Sequence, residues 1–372
     1  MRIIHFSDTH LGYNDLDIIN ENNINQREAD FYDAFSQVIN NIEKIKPDYV
    51  IHTGDLFHRS SPSNRAITFA LKEFKRLNEL NIPVIMIAGN HSTPRTNLSS
   101  PILKIFEDFE NIYVTYEQNY KKIEFDNIIF HTLPHMNDDT KALEQIELCE
   151  DNINKDRKNI MMMHCSVGAW YLMQEFGEWV YPTNKEYIFE KMDYVALGHW
   201  HGFGKVGKYE NVYYSGSTER TSLNDKRNSK GFIVATLNDT LNVEYKEINI
   251  RPIVTKEIDC DEYESSIELL DTTDTKDAIV EVKLQNLTTI QSIDIQNSDI
   301  KNLFCEAMNV TVKREFKKNK HNSSTLDVEA LSIEEYFLDH IKEQSVDEEF
   351  DRLKPKIQEL FASYEEVQDD TL

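Results

Sequence analysis

Five apolar runs in this chain end in residues suited to holding a metal ion. Arg2-Ile-Ile-His-Phe-Ser leads into Asp8-Thr-His10, and Tyr49-Val-Ile-His-Thr-Gly into Asp55. Val84-Ile-Met-Ile-Ala-Gly leads into Asn90-His91, Asn159-Ile-Met-Met-Met into His164, and Tyr194-Val-Ala-Leu-Gly into His199-Trp-His201. Asp8, His10, Asp55, Asn90, His164, His199 and His201 exceed the three or four side chains that one catalytic ion takes from protein. They suit a pair of divalent ions about 3.5–4 Å apart that share one carboxylate, with Asp55 the natural bridge. Imidazole among the donors disfavours calcium and magnesium, which prefer oxygen shells, and suits manganese, iron or zinc. Two such ions against two carboxylates leave the pocket about +2. That pocket attracts a phosphodiester, polarises its oxygens and acidifies water. His91, directly after Asn90, should face the same cleft without being needed as a ligand. It is the candidate catalytic group, either steadying the transition-state phosphate or protonating the leaving oxygen.

Short apolar runs bounded by glycine read as buried strands, and polar residues past their carboxyl ends sit where open α/β sheets bind ligands. The expectation is that all the donors reach one edge of one sheet. A lone histidine of this kind is ordinarily a core or surface residue, and His5 and His52, inside strand runs, read that way. Helices are expected over Gln26–Ile45 and about 63–80, with Pro62 opening the second. Lys121–Phe125 and 128–132 flank Asp126-Asn127 as a hairpin. Runs at 212–215, 232–237 and 243–248 are expected to finish a second sheet packed against the first. Beyond Arg251-Pro252, 253–258 and 278–284 alternate as strands, 299–308 reads as a helix and 310–316 as a strand. Residues 317–327 read as a polar linker. Two amphipathic helices follow at about 332–344 and 347–364, the first opened by Ser332-Ile-Glu-Glu335. The expected class is α/β: a two-sheet αβ sandwich, a small α/β cap and a C-terminal helical pair, divided at 1–250, 251–320 and 321–372.

The set Asp8/His10, Gly54-Asp55, Gly89-Asn90-His91, His164 and Gly198-His199-Trp-His201 resembles the motifs of the calcineurin-like metallophosphoesterases. Three further stretches resemble the SbcD-type nuclease subunit of a double-strand-break repair complex. They are His10-Leu-Gly-Tyr13, Asp55-Leu-Phe-His58 with Pro62, and Tyr214-Ser-Gly-Ser-Thr-Glu-Arg220 followed by Lys230-Gly-Phe232. The resemblance covers about residues 1–250 and is looser beyond. It implies a manganese-type, two-metal DNA exonuclease and endonuclease of repair and recombination, with a cap that contacts DNA. It further implies a homodimer and an SbcC-like ATPase partner bound by the C-terminal helices. By the same resemblance Asp8, His10, Asp55 and His201 would hold one ion, and Asp55, Asn90, His164 and His199 the other. His58 would be a second catalytic group facing the phosphate or supporting a ligand, or would serve structure alone. One departure stands out: the family's third motif usually continues with an acid, whereas Ser92 follows here. Ser92 would hold His91 less firmly, at a cost in efficiency rather than activity.

Two other readings remain at this point. One is a metallophosphatase or phosphodiesterase acting on nucleotides or phosphoproteins, which has little need of a cap and terminal helices. The other is a scaffold with a decayed site, which the complete donor set opposes.

The chain of 372 residues is long for one core and ordinary for two or three domains, and its mean hydropathy is −0.55. No apolar stretch approaches a bilayer span, and Met1 leads into a core strand rather than a signal peptide, so no membrane is expected. Cys149, Cys165, Cys260 and Cys305 lack CxxC spacing, which fits free thiols in a reducing cytoplasm, with Cys165 read as packing. The net charge of −25 is concentrated in the tail: residues 256–372 hold 29 acids and 13 bases. Local charge governs phosphate contact. Lys205, Lys208, Arg220, Lys226, Arg227 and Lys230 surround the last motif; Lys313, Arg314, Lys317, Lys318 and Lys320 form a second basic run. An apolar stripe at Ile67, Ala70, Leu71, Phe74 and Leu77, with Leu98, Ile102, Leu103 and Phe106, is shared between the core and the homodimer that the resemblance implies.

Overall fold

The apolar runs become strands because each carries consecutive side chains that are buried on both faces. A computed structural model describes residues 1–93, 100–168, 179–222, 229–317 and 354–356. In chain order the elements are β1 (Arg2–Phe6), α1 (Gln26–Ile45), β2 (Tyr49–His52), α2 (Asn64–Glu79), β3 (Val84–Ile87), β4 (Ile112–Thr115), β5 (Lys121–Phe125) and β6 (Ile128–Leu133). Then come α3 (Asp139–Asp151), β7 (Lys158–His164), β8 (Tyr194–Gly198), β9 (Gly204–Lys205), β10 (Val212–Tyr214), β11 (Gly231–Leu237) and β12 (Leu241–Glu247). The last part holds β13 (Ile253–Asp259), α4 (Tyr263–Glu268), β14 (Ile279–Leu287), α5 (Thr289–Asp294), α6 (Asn297–Asn302) and β15 (Asn309–Phe316).

Two six-stranded sheets form the body, ordered β12-β11-β1-β2-β3-β4 and β5-β6-β7-β8-β10-β9. Their inner faces share a core that includes Ile3, Ile51, Ile85, Phe130, Ile160 and Tyr194. The sandwich is the expected one, but two strands change sheets relative to the sequence reading. β11 and β12 do not extend the second sheet; β11 pairs antiparallel with β1, Ile3 opposite Ala235 and His5 opposite Ile233. Of the three expected runs, β10 alone joins the second sheet, parallel to β8. The hairpin at 126–127 is present, with Phe125 opposite Ile128.

Helices α1 and α2 cover the outer face of the first sheet, and α3 packs on that of the second. Asn25 caps α1 by accepting from the N–H groups of Arg27 and Glu28, and Lys46 ends it in the left-handed region. Phe31, Phe35, Val38, Ile39 and Ile42 bury the inward stripe, each worth about 1.5–3 kcal/mol of apolar transfer. In α2 the capping residue is Ser63, accepting from the Ala66 N–H. Pro62 therefore stands before the cap rather than inside the helix, where it still fixes the entering backbone. The apolar stripe of α2 is mostly core: Ala70, Phe74, Leu77, Leu103 and Phe106 are buried in one cluster, and Leu71 and Ile102 are partly buried against it.

A third, three-stranded sheet has the order β13-β14-β15, and α4 and α6 contribute to its core around Val280, Val282, Ile300 and Phe304. The helix expected over 299–308 is only α6, because the chain must turn to reach β15: Met308 N–H bonds the Ala278 carbonyl at 2.8 Å. Of the second basic run, Arg314 is committed to the carbonyls of Ser292 and Ile295, and Lys313 pairs with Glu281 at 2.5 Å. Those two are structural before they are available to phosphate. Met1–Glu315 forms one unit and Phe316–Leu372 a second. Residues 354–356 are helical, and the rest of the expected terminal helices lies outside the described residues, as do Leu98, Lys226, Arg227, Lys318 and Lys320. No helix among the described residues is long and apolar enough to cross a membrane.

Candidate metal centre

The donors do not share one sheet. β1, β2 and β3 run parallel in the first sheet, and β7 and β8 run parallel in the second. Their carboxyl ends converge, so the site lies across the seam of the sandwich. Two of its loops run side by side, Asp8 N–H to Gly54 O and His10 N–H to Asp55 O, each at 3.0 Å.

The backbone is strained where the donors sit. Asp8 (φ 50°), His10 (φ 41°), Asp55 (φ 53°) and His199 (φ 97°) all occupy the left-handed side. Each such residue costs on the order of 1–3 kcal/mol and persists only when its surroundings hold it there. Gly54, at φ 103°, could not be otherwise: an added Cβ would lie 2.2 Å from His164 Nδ1. At Gly89 an added Cβ would lie 2.2 Å from Asp55 Oδ1.

The donor atoms come together in overlapping groups. Asp8, His10 and His201 form one, Asp8, Asp55 and His164 another, and His10, His58 and His91 a third. His10 Nε2 faces His201 Nε2 at 3.1 Å, and His164 Nε2 faces Asn90 Oδ1 at 2.9 Å and Asp55 Oδ2 at 3.2 Å. Two ligands each about 2.0–2.1 Å from one ion, at octahedral to tetrahedral angles, lie about 2.8–3.4 Å apart. The spacing and the chemistry of the donors therefore fit divalent ions. The His199 ring lies 5.3 Å from that of His164, and its backbone N–H donates to both oxygens of Asp8 at 3.0 and 3.2 Å.

Three of the imidazoles, His164, His201 and His91, are aimed by a partner, whereas His10 Nδ1 and His58 Nδ1 are buried with none. Thr53 O accepts from His164 Nδ1 at 2.8 Å, which turns Nε2 toward the carboxylate. Thr221 Oγ1 holds His201 Nδ1 at 3.0 Å, and Tyr13 OH donates to Thr221 O at 2.7 Å. His91 Nδ1 donates to His58 O at 2.7 Å, and the His91 N–H to Asp55 Oδ1 at 2.9 Å. Ser92 Oγ is buried without a hydrogen-bond partner, and the backbone of His58 orients His91 in place of an acid. The His58 ring packs 5.5 Å from His10 and 4.9 Å from Tyr13.

Burial, with His201 adding to it, holds His10 well below the ordinary histidine range. Burial and then His91 bring His58 down to about 4. Neutral imidazole is the ligand form. Burial likewise opposes charge on His164, but the Asp55 carboxylate outweighs it and raises the group. The field that favours a proton there favours any cation between them.

Several contributors were not found from sequence. Thr53 acts through its backbone, which no residue type reveals. His135 lies 6.3 Å from His164, ring to ring, and its N–H bonds Ala88 O at 2.9 Å. It follows the apolar strand β6 as the other histidines follow theirs, so a signal existed. Lys230, read as part of a basic surface, is 1 % exposed; its Nζ donates to His201 O at 2.7 Å and Ser217 Oγ at 2.8 Å. His5 and His52 are core residues, His5 bonding Tyr194 OH and Thr53 Oγ1, each at 2.9 Å. Cys165 is a free, buried thiol packed in the second sheet's outer core.

Residues 1–203 match the calcineurin-like phosphoesterase family, and the chain belongs to it. It is a metal-dependent phosphoesterase that uses divalent ions. Among its relatives, the DNA double-strand break repair protein Mre11 of Methanococcus maripaludis is 28% identical over 366 residues, 94% of this chain and 93% of that one. The protein of the same name from Thermoplasma acidophilum is 30% identical over 272 residues, 70% of this chain and 69% of the other. That from Methanocaldococcus jannaschii is 27% identical over 364 residues, 93% and 92% of the two chains.

Proposed function

We propose that this chain is the nuclease subunit of a DNA double-strand-break repair assembly, hydrolysing DNA phosphodiesters with two manganese-type ions. The observation that carries the reading is the convergence of carboxylate, amide and imidazole donors from five strand ends, in a chain similar over nearly its whole length to repair proteins. Asp8, His10, Asp55 and His201 would hold one ion; Asp55, Asn90, His164 and His199 the other. The ions, when bound, supply Lewis acidity to the phosphodiester and acidify water.

The rest is done by the chain. Asp55 ties the two halves of the centre and, through the His91 N–H, the position of His91. His91, with Nδ1 committed to His58 O, has Nε2 left to hydrogen-bond the phosphate or to protonate the leaving oxygen. His58, kept neutral by burial, packs against His10 and His91 and limits where the phosphate can sit. Residues 251–320 serve as a cap against DNA, and 321–372 bind an SbcC-like ATPase. A homodimer, for which partly exposed Ile67 and Leu71 remain on α2, sets two centres on one DNA.

The test is cleavage of labelled duplex DNA by the full chain with manganese, alone and with the ATPase. Cleavage under manganese is expected, and a chain that hydrolyses small phosphomonoesters while leaving DNA intact overturns the reading. Ending the chain at Asn322 should spare that cleavage and eliminate co-purification with the ATPase. Light scattering at micromolar concentration reads the dimer.

A further inference from the structure

Between the ligands His199 and His201 stands Trp200, an indole 43 % exposed, and two residues beyond His201 stands Phe203, 39 % exposed. Large aromatics are ordinarily withdrawn from solvent, and an exposed adjacent pair marks a binding surface. Both are braced. The indole lies across Gly202, where an added Cβ would come within 2.7 Å of Trp200 Nε1. Phe203 stacks on Tyr245 of β12, ring centres 4.1 Å apart at 16°. Beside them opens a cavity of about 210 Å³ lined by Val167, Trp200, Phe203, Lys205, Val206 and Tyr214.

The floor of this notch is fastened to the metal centre. Val167 N–H donates to Tyr214 OH at 2.9 Å, and Tyr214 OH donates to Cys165 O at 2.9 Å, next to His164. The notch thus shares the ends of β7 and β8 with the candidate ligands and keeps a set distance from them. A ligand that fills it while its phosphate is at the centre must carry a flat apolar body a short covalent reach from a phosphodiester. A nucleotide is built that way. Lys205 at the rim suits the neighbouring backbone phosphate, although it also pairs with Glu210 at 2.6 Å.

We propose that the Trp200–Phe203 notch seats one unpaired nucleobase of the DNA strand whose phosphate lies at the metal centre, a role that rests on the nuclease reading above. A base held between duplex neighbours cannot reach it; one released at a frayed or tailed end can. Stacking tolerates any base, because each presents a π-face, so the notch selects unpaired over paired DNA rather than one sequence.

The test is a cycle of two proteins against two DNAs, using the full chain without divalent ions. Wild type and Trp200→Ala are titrated against duplexes bearing a short single-stranded tail, either normal or abasic at every tail position. Wild type should bind the abasic tail about five- to hundredfold more weakly, the range for loss of one stacked base. Trp200→Ala should bind the normal tail more weakly by a similar factor and should lose little more when the tail is abasic. Phe203→Ala provides a second arm if Trp200→Ala does not fold. Equal wild-type affinity for the two tails overturns the notch without any variant, as do independent, additive losses. Loss of ATPase co-purification by Trp200→Ala with DNA binding unchanged would mark a protein-docking surface and also overturn it. Wild type that neither binds nor cleaves any DNA sinks the nuclease reading itself, which the paired tails separate from failure of the notch.

Discussion

His91 is tied to Asp55 through its own backbone, its N–H donating to Asp55 Oδ1 at 2.9 Å. The carboxylate between the two halves of the centre therefore also sets the height of the candidate acid. Asp55→Asn keeps an oxygen for that bond and removes the charge. We expect a folded protein with lowered metal occupancy and no measurable nuclease activity. Calorimetric titration with manganese beside a DNA cleavage assay checks both, and undiminished occupancy would remove Asp55 from the bridge.

On the proposed reading, His91→Ala removes a side chain that acts in the transition state rather than as a ligand. Both ions should still bind, while single-turnover cleavage falls about 10²–10⁴-fold, the usual contribution of a positioned acid or base. Full cleavage under saturating manganese would exclude His91 from the mechanism.

Gly54→Ala places a methyl group 2.2 Å from His164 Nδ1 on a backbone already at φ 103°. Strain of about 1–3 kcal/mol should appear in the unfolding midpoint, together with weaker metal binding as His164 is pushed aside. Unchanged metal affinity would show that His164 has room to retreat.

Lys230→Met keeps the buried length of the side chain and removes its bonds to His201 O and Ser217 Oγ. Loss of such a support typically lowers metal affinity about 10–100-fold. Metal affinity equal to wild type would make Lys230 a purely structural cation.

His5 and His52 are held down to about 3 each, chiefly by burial. Both are neutral in the fold, while in the unfolded chain they take up protons below about 6.5. Folding stability should therefore be insensitive to them above pH 6.5 and be lost as pH falls toward 3. At pH 5 the loss is about 2 kcal/mol per histidine. Denaturant midpoints measured against pH should show a shallower acid slope for His5→Gln, and parallel slopes would contradict the assignment.

The positions of the candidate donors were legible in the residues alone, because a buried apolar strand followed by a polar residue is a local pattern that survives any arrangement of strands. The sequence also determined that His5, His52 and Cys165 pack, since they fall within or beside apolar runs. Strand partners were left open: alternation and apolarity report that β11 is buried but not whether it pairs with β1 or β10, which depends on hydrogen bonds between residues more than 200 positions apart. Only the tertiary structure put β1, β2 and β3 in one sheet and β7 and β8 in the other, so that the centre spans their seam. It alone turned Lys230 from a surface charge into a support for His201, and gave the orientation of His91 to a backbone carbonyl where Ser92 supplies no acid. Those outcomes rest on carbonyl directions and loop conformations, which every residue possesses and no side chain announces.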